Sequence, residues 1–201
     1  VTSAVSVAGA VTATRNHYGH CDVLVNNAGI LPKRLLEDET TETWDLTMAV
    51  NLRGPFLCTR HFGALMRESG GGSIVNIGSI GATAPTLGAG AYSASKAGLL
   101  ALTRQTAVEW GQYGIRANAV SPGYMHTPMT QSRYAVPGLA EQRASKIPLG
   151  RIAELTEVAS VVTFLASAAS SYVNGQELLV DGGFSHTATR QMAQPSANDS
   201  K

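Results

Sequence analysis

The chain has 201 residues, of which 44% are hydrophobic and 14% are charged, and its formal net charge is +1 at pH 7. This length and apolar content are typical of one globular domain and exclude a disordered chain. Because acidic and basic residues are mixed along the sequence, no binding of nucleic acid or of an anionic membrane is predicted. We therefore expect a small molecule as the ligand.

Helical patterns and short apolar runs alternate along the chain. A first helix is predicted to end at Gly19, with Val5, Ala8, Val11 and Thr12 on one face. Strands are expected in four apolar runs bounded by Gly, Asn or Asp: Asp22–Asn26, Ser73–Ile77, Ile115–Val120 and Glu177–Val180. Further helical patterns cover Thr40–Arg67, which is long enough for two helices, Ala91–Trp110 and Glu154–Ala166. This alternation predicts an α/β fold, a doubly wound parallel sheet with helices on both faces.

Two segments do not fit the alternation. Tyr124–Gly150 contains three prolines and mixed polarity, which indicates an irregular or helical excursion that contributes substrate contacts. The polar residues 187–201 are expected to form a flexible tail.

The cysteines and the apolar stretches indicate the cellular environment. Cys21 and Cys58 have no CxxC spacing, so we expect reduced thiols in a cytoplasmic protein and no metal site. Val158–Ala169 is the longest apolar candidate and is interrupted by polar residues, so no membrane span is predicted.

A tyrosine and a lysine four residues apart open the Ala91–Trp110 helix. Tyr92 and Lys96 therefore lie one above the other on its surface. An ammonium close to a phenol favours the phenolate and lowers a pKa that is ordinarily about 10. The same spacing also occurs by chance on solvated helix faces, so the pair gains meaning only from its neighbours.

Two more polar residues stand where a ligand could reach them. Ser79 directly follows the Ser73–Ile77 run, and ligands of open parallel sheets bind beyond the carboxyl ends of the strands. A turn or helix-cap role would also explain this serine. Asn51 lies inside a helical pattern, where a polar side chain needs a hydrogen-bond partner or a bound water. A structural role in the core is compatible with that need.

The order and spacing of several motifs resemble the short-chain dehydrogenase/reductase family. The motifs are Asn26-Asn27-Ala28-Gly29, Asn51, Ser79, Tyr92-x-x-x-Lys96, Ser121-Pro122-Gly123 before Thr127, and Val180-Asp181-Gly182-Gly183. The resemblance implies one Rossmann-like domain over residues 1–186. It also implies an oxidoreductase that transfers a hydride between NAD or NADP and a secondary alcohol or ketone, in a homodimer or homotetramer.

The same resemblance implies a role for each matching residue. Tyr92 would exchange a proton with the substrate oxygen that Ser79 holds. Lys96 would lower the Tyr92 pKa and bind the nicotinamide ribose, and Asn51 would hold a water that connects Lys96 to solvent. Asn26 would tie neighbouring strands together. The implied cofactor-binding residues are Asn26, Ala28, Gly29, Tyr92, Lys96, Pro122, Gly123, Met125 and Thr127.

One element of the family has no counterpart in this sequence. Complete members open with a Gly-rich strand–turn–helix for the pyrophosphate. Gly88-Ala89-Gly90 does not replace it, because Ser93 stands at the third glycine position and no strand comes directly before it. We therefore expect an N-terminally truncated member that binds nicotinamide cofactors poorly as written. The alternative is a non-catalytic binding or oligomerisation partner. The choice between NAD and NADP and the identity of the substrate are not predicted.

Overall fold

The computed structural model describes residues 1–127 and 130–187, and it shows that the four apolar runs form one parallel sheet. The strands lie in the order β1-β2-β3-β4, with bounds Val23–Asn26, Gly72–Ile77, Ile115–Pro122 and Glu177–Val180. The register places Val25 beside Val75, and Val75 beside Asn118. All four predicted strands are confirmed.

Seven α-helices connect and flank these strands within the described residues. Their bounds are Ala4–Tyr18 for α1, Thr41–Met48 for α2, Gly54–Glu68 for α3, Gly90–Trp110 for α4, Gln131–Tyr134 for α5, Leu139–Ala144 for α6 and Leu155–Ala166 for α7. The predicted excursion after β3 is therefore helical in part, since α5 and α6 lie within it.

Helices cover both faces of the sheet. Side chains of successive strand residues point to opposite faces, so neighbouring residues pack against different helices. Ile74 packs with Leu65 and Met66 of α3 on one face, which α1 and α4 also cover. Its neighbour Val75 packs with Val158 and other residues of α7 on the opposite face. The predicted α/β fold with helices on both faces is confirmed.

The predicted apolar face of α1 is correct for Val11 and wrong for Val5. Ser3 caps the helix and Gly19 ends it in the left-handed region, as expected. However, Val7 is the residue of α1 that is buried, whereas Val5 is 85% exposed. The helix packs against α3, and the 3.6-residue period carries the contacting face from Val7 to Val11.

The two helices predicted within Thr40–Arg67 are present, and no loop separates them. A π-helical turn, Ala49–Arg53, joins α2 directly to α3, with the Gly54 N–H donating to the Ala49 carbonyl oxygen. Such a turn adds one residue to the helix circumference and often occurs at functional sites. It places Asn51 in the protein interior, fully buried.

At the periphery, β1 forms one edge of the sheet and pairs with β2 alone in the part of the chain that is described. Val23 and Val25 of β1 are partly exposed at that edge. No helix among the described residues is long and apolar enough to cross a membrane. The predicted tail lies outside these residues from position 188 onward.

Candidate active site

A cavity of about 740 Å³ opens at the carboxyl ends of the parallel strands. It is bounded by the residues that follow β1, β2 and β3, and by side chains of α4 and α7. This is the edge where the sequence predicts ligand binding. Nine of the predicted site residues line it: Ala28, Gly29, Ser79, Tyr92, Lys96, Pro122, Gly123, Met125 and Thr127. Asn26 and Asn51 do not.

Ser79 and Tyr92 approach each other across Gly81. Ser79 begins a short 3-10 turn after β2, and its Oγ accepts a hydrogen bond from the Gly81 N–H at 3.0 Å. A Cβ built on Gly81 would lie 3.3 Å from Ser79 Oγ and 3.6 Å from Tyr92 Cε1. The serine hydroxyl and the phenol ring can therefore contact the same small group.

Lys96 lies beside Tyr92, one helical turn further along α4. Its Nζ is 5.7 Å from the centroid of the Tyr92 ring and donates to the Ile77 carbonyl oxygen at 2.6 Å. Burial lowers the pKa of Lys96 from 10.5 to about 8, because an ammonium loses its hydration there. A buried cation in a cavity next to a tyrosine is typical of sites that move protons.

Asn51 lies behind Gly29 and connects three segments. Its amide exchanges two hydrogen bonds with the backbone of Ile30, and its Nδ2 also donates to Ser95 Oγ at 3.1 Å. Ser95 in turn donates to the Tyr92 carbonyl oxygen at 2.7 Å. Asn51 therefore fixes the loop after β1 against the first two turns of α4, as the structural reading of this residue predicts.

Asn26 is buried in the core and joins neighbouring strands, as the family resemblance implies. Its Nδ2 donates to Asn76 Oδ1 at 2.8 Å and to Thr59 Oγ1 at 3.3 Å. Asn76 Nδ2 in turn donates a hydrogen bond to Thr103 Oγ1 of α4. The side chain of Asn26 thus joins β1 to β2 and α3 and does not line the cavity.

The segment after β3 contributes Gly123 and Thr127. A Cβ on Gly123 would lie only 2.7 Å from Asp181 Cβ, so a larger residue would force the end of β3 away from β4. Burial alone would raise the pKa of Asp181, but hydrogen bonds from Ser185 and Gly183 outweigh burial and lower it. Thr127 is linked through its Oγ1 to Thr130, so its orientation is fixed.

Several site residues were missed by the sequence reasoning. Lys33, Tyr124, Tyr134 and Arg143 also line the cavity, and three of them belong to the excursion after β3 that was expected to supply substrate contacts. Ser95 was missed as well, although it lies three residues after Tyr92 on the same helix. Neither an individual residue of that excursion nor a buried helical serine has a local sequence signal. No cluster of His, Cys, Asp or Glu within residues 1–127 and 130–187 could hold a metal ion.

Comparison with known proteins identifies the family. The sequence model described as "Enoyl-(Acyl carrier protein) reductase" matches residues 1–185. A 2-(R)-hydroxypropyl-CoM dehydrogenase of Xanthobacter autotrophicus is 43% identical over 178 residues, which are 87% of this chain and 71% of that protein. A D-threitol dehydrogenase of Mycolicibacterium smegmatis is 38% identical over 92% of this chain and 70% of its own length.

Solved structures agree with these relatives. A gluconate 5-dehydrogenase of Burkholderia cenocepacia, solved with NADP and tartrate, superposes with a TM-score of 0.88 at 33% identity. The superposition covers 92% of this chain and 72% of that one. The chain therefore belongs to the short-chain dehydrogenase/reductase family of NAD(P)-dependent oxidoreductases.

The residues of the cavity fit the nicotinamide end of such a cofactor. Gly29 has no side chain, which leaves space in front of Asn51 Oδ1 and Lys96 Nζ. A Cβ added at this residue would lie 3.4 Å and 3.6 Å from these two atoms. Lys96 also has ammonium hydrogens beyond the one donated to Ile77, and these can reach a ribose hydroxyl. Small residues at positions 28, 29 and 123 allow close approach to the backbone.

Proposed function

We propose that this protein transfers a hydride between NAD or NADP and a secondary alcohol or ketone, with Tyr92 as the acid–base residue. One observation supports the proposal above others. Ser79 and Tyr92 face the same small volume beside Gly81, while the buried ammonium of Lys96 lies next to the Tyr92 ring. Reduction or oxidation at a substrate carbon changes the charge on its oxygen. A hydroxyl donor can stabilise that charge, and an ionisable phenol beside a cation can exchange the proton.

Each residue of the site has a separate role in the proposed reaction. The nicotinamide, when bound, supplies the hydride donor or acceptor. Ser79 Oγ, which already accepts from Gly81, would donate its own hydrogen to the substrate oxygen. Tyr92 would give a proton to that oxygen in ketone reduction and take it back in alcohol oxidation. Lys96 stabilises the phenolate of Tyr92 by its charge and would bind the ribose. Ala28, Gly29, Pro122, Gly123, Met125 and Thr127 would hold the cofactor from the strand ends.

Asn51 would act through a water and through its backbone contacts. Both hydrogens of its Nδ2 are donated, to Ile30 and Ser95, so its side chain can bind a water only as an acceptor. Its Oδ1 accepts from Ile30 and faces the open space at Gly29 together with Lys96 Nζ. A water in that space would accept a hydrogen from Lys96 and connect it toward solvent.

Replacement of Tyr92 by Phe tests the proposal, because it removes only the phenolic oxygen. We expect kcat to fall by about 10²–10⁴-fold with a secondary alcohol and the preferred nicotinamide. NADH binding, which we expect to be weak already in the wild type, should change little in a fluorescence titration. Tyr172→Phe is the matched control, since this tyrosine is fully exposed, and it should keep wild-type turnover. Wild-type turnover in Tyr92→Phe would show that another group moves the proton.

We also propose that the protein forms a homodimer or homotetramer. The outer surfaces of α2, α3 and α4 expose Leu46, Phe56 and Val108, which are 55%, 45% and 81% exposed. A shallow apolar depression lined by Met48 and Leu52, among others, lies beside Phe56. Exposed apolar surface of this kind is typical of protein–protein contacts. Light scattering after size exclusion should give a multiple of 21.0 kDa. A stable monomer at micromolar concentration would contradict this proposal.

A further inference from the structure

The arginine of α6 lies over two aromatic rings of the cavity. The Arg143 guanidinium carbon lies 4.9 Å from the ring centroid of Tyr124 and 5.1 Å from that of Tyr134. All three residues line the cavity that contains Tyr92. Stacking against rings occupies the faces of a guanidinium and leaves its N–H groups, which point outward in its plane, for an acceptor. The two tyrosines therefore orient Arg143 in advance of ligand binding.

Arg143 has no carboxylate partner among the residues that the structure describes. The ion pairs there join Arg15 with Glu68, His20 with Asp22, and Arg151 with Glu157. No Asp or Glu of the described chain lines the cavity, whereas Lys33 and Lys96 do so with Arg143. A cavity with cationic and no acidic side chains concentrates anions.

A second observation at the same place indicates a missing polar partner. The hydroxyl oxygen of Tyr134 is buried and forms no hydrogen bond with the described part of the protein. Such groups are rare, because an unmade hydrogen bond costs free energy in the interior. Tyr134 also contacts the Arg143 guanidinium. Because Tyr134 also lines the cavity, a turn of its ring that exposes the hydroxyl would let one acceptor oxygen satisfy both residues.

From this arrangement we propose that Arg143, with Tyr134, binds an anionic group of the substrate, so that the preferred substrates are hydroxy acids and keto acids or their phosphate counterparts. This inference rests on the proposed function, since it assigns the substrate class of the same cavity. The anion would lie at Arg143 while the reacting oxygen lies at Ser79 and Tyr92. Arg143 would thus determine specificity without taking part in proton transfer.

Kinetics with matched acids and esters test the proposal. Keto acids with an increasing number of methylenes between carbonyl and carboxylate are compared with their methyl esters, and keto phosphates form a separate arm. The wild type should favour the anion of one spacing over its neutral counterpart in kcat/KM. Arg143→Gln should reduce kcat/KM for that anion by about 10–100-fold, mainly through KM, since a charge-assisted hydrogen bond to the anion is lost. The ester should be unaffected, and Arg143→Lys should recover part of the loss.

Lys146→Gln provides the matched control, because this lysine is exposed three residues further along and does not line the cavity. It should leave the discrimination between acid and ester unchanged. Equal losses for acid and ester in Arg143→Gln would assign Arg143 a structural role and overturn the proposal. So would a weaker binding of NADH in Arg143→Gln with unchanged discrimination, since the cation would then serve the cofactor.

A binding measurement separates this inference from the proposed function. Isothermal titration of malonate into the protein with NADH present should show binding in the wild type and in Tyr92→Phe. The signal should be lost in Arg143→Gln, and the neutral analogue malonamide should not bind. Binding of malonate without turnover of any alcohol would leave the anion site in place and count against the hydride-transfer proposal. Equal malonate binding by wild type and Arg143→Gln would overturn the anion site alone.

Discussion

The side-chain amide of Asn51 exchanges two hydrogen bonds with the backbone of Ile30, each 2.9 Å long. The Ile30 N–H donates to Oδ1, and Nδ2 donates to the Ile30 carbonyl oxygen. The loop after β1 is thereby held against the π-helical turn, although 21 residues separate the two. The loop that presents Gly29 to the cavity depends on a side chain from another element.

Replacement of Asn51 by Asp tests the strength of this link. Aspartate would lose both N–H donors and place a carboxylate at a fully buried position. We expect the free energy of unfolding, measured in urea, to fall by about 2–4 kcal/mol. Asn16→Asp makes the same exchange at an exposed position of α1 and should change stability by less than about 0.5 kcal/mol. Similar stabilities of the two variants would contradict this account of the loop.

Replacement of Gly29 by Ala should reduce turnover without unfolding the protein. The added methyl would lie 3.4 Å from Asn51 Oδ1 and 3.6 Å from Lys96 Nζ, which are ordinary contact distances. It would fill the space proposed for a connecting water and for the cofactor. We expect a decrease in kcat/KM of about tenfold or more, equivalent to about 1.4 kcal/mol, at an unchanged Tm.

Gly9→Ala is the control for this glycine variant. Nothing lies within 4 Å of a Cβ at position 9, in the middle of α1. Alanine there should stabilise the helix by about 0.5–1 kcal/mol and leave activity unchanged. Full activity of Gly29→Ala would mean that the space in front of Asn51 has no role in turnover.

The lowered pKa of Lys96 predicts a change of stability at alkaline pH. The folded protein releases the Lys96 proton near pH 8, and the unfolded chain holds it up to about pH 10.5. Between these values the unfolded state binds more protons, so the free energy of unfolding rises with pH by roughly 3 kcal/mol from this group. Below about pH 8 both states hold the proton and the contribution is constant.

Lys96→Met removes that titration and allows it to be isolated. The difference in unfolding free energy between wild type and Lys96→Met, measured in urea at several pH values, should change by this amount between about pH 8 and pH 10.5. Lys146→Met, at an exposed lysine, should follow the wild type throughout. Parallel curves for wild type and Lys96→Met would show that Lys96 keeps an ordinary pKa in the folded protein.

The contact between α3 and α4 predicts a large cost for a small change. A Cβ on Gly63 would lie 2.1 Å from Cζ3 of Trp110, which no real pair of atoms tolerates. Gly63→Ala should destabilise the protein by about 1–3 kcal/mol, because the helices must move apart. Thermal unfolding monitored by circular dichroism measures this, and Trp110→Leu in the same chain should recover part of the loss. An additive double mutant would show that the two residues do not interact.

Local sequence patterns determined the secondary structure and much of the candidate site. The four strands, the two-helix segment and the last turn of α1 follow from residue periodicity and from residues such as Gly19, whose influence extends over only one turn. Nine of the predicted site residues line one cavity, because parallel strands bring their carboxyl ends to the same edge of the sheet. The roles of Tyr92, Ser79, Lys96 and Asn51 in catalysis remain predictions, and Tyr92→Phe tests the first of them.

Tertiary structure decided what depends on contacts between distant segments. The buried face of α1 is set by α3 and runs through Val7, which the face predicted from the apolar pattern left out. Asn26 and Asn51 proved to hold segments together behind the cavity, since each finds its partners 21 to 50 residues away. The contacts of the Arg143 guanidinium with the rings of Tyr124 and Tyr134 likewise depend on the folded chain. Sequence periodicity encodes which face of an element is apolar, but the partner of a polar side chain is selected only when the chain has folded around it.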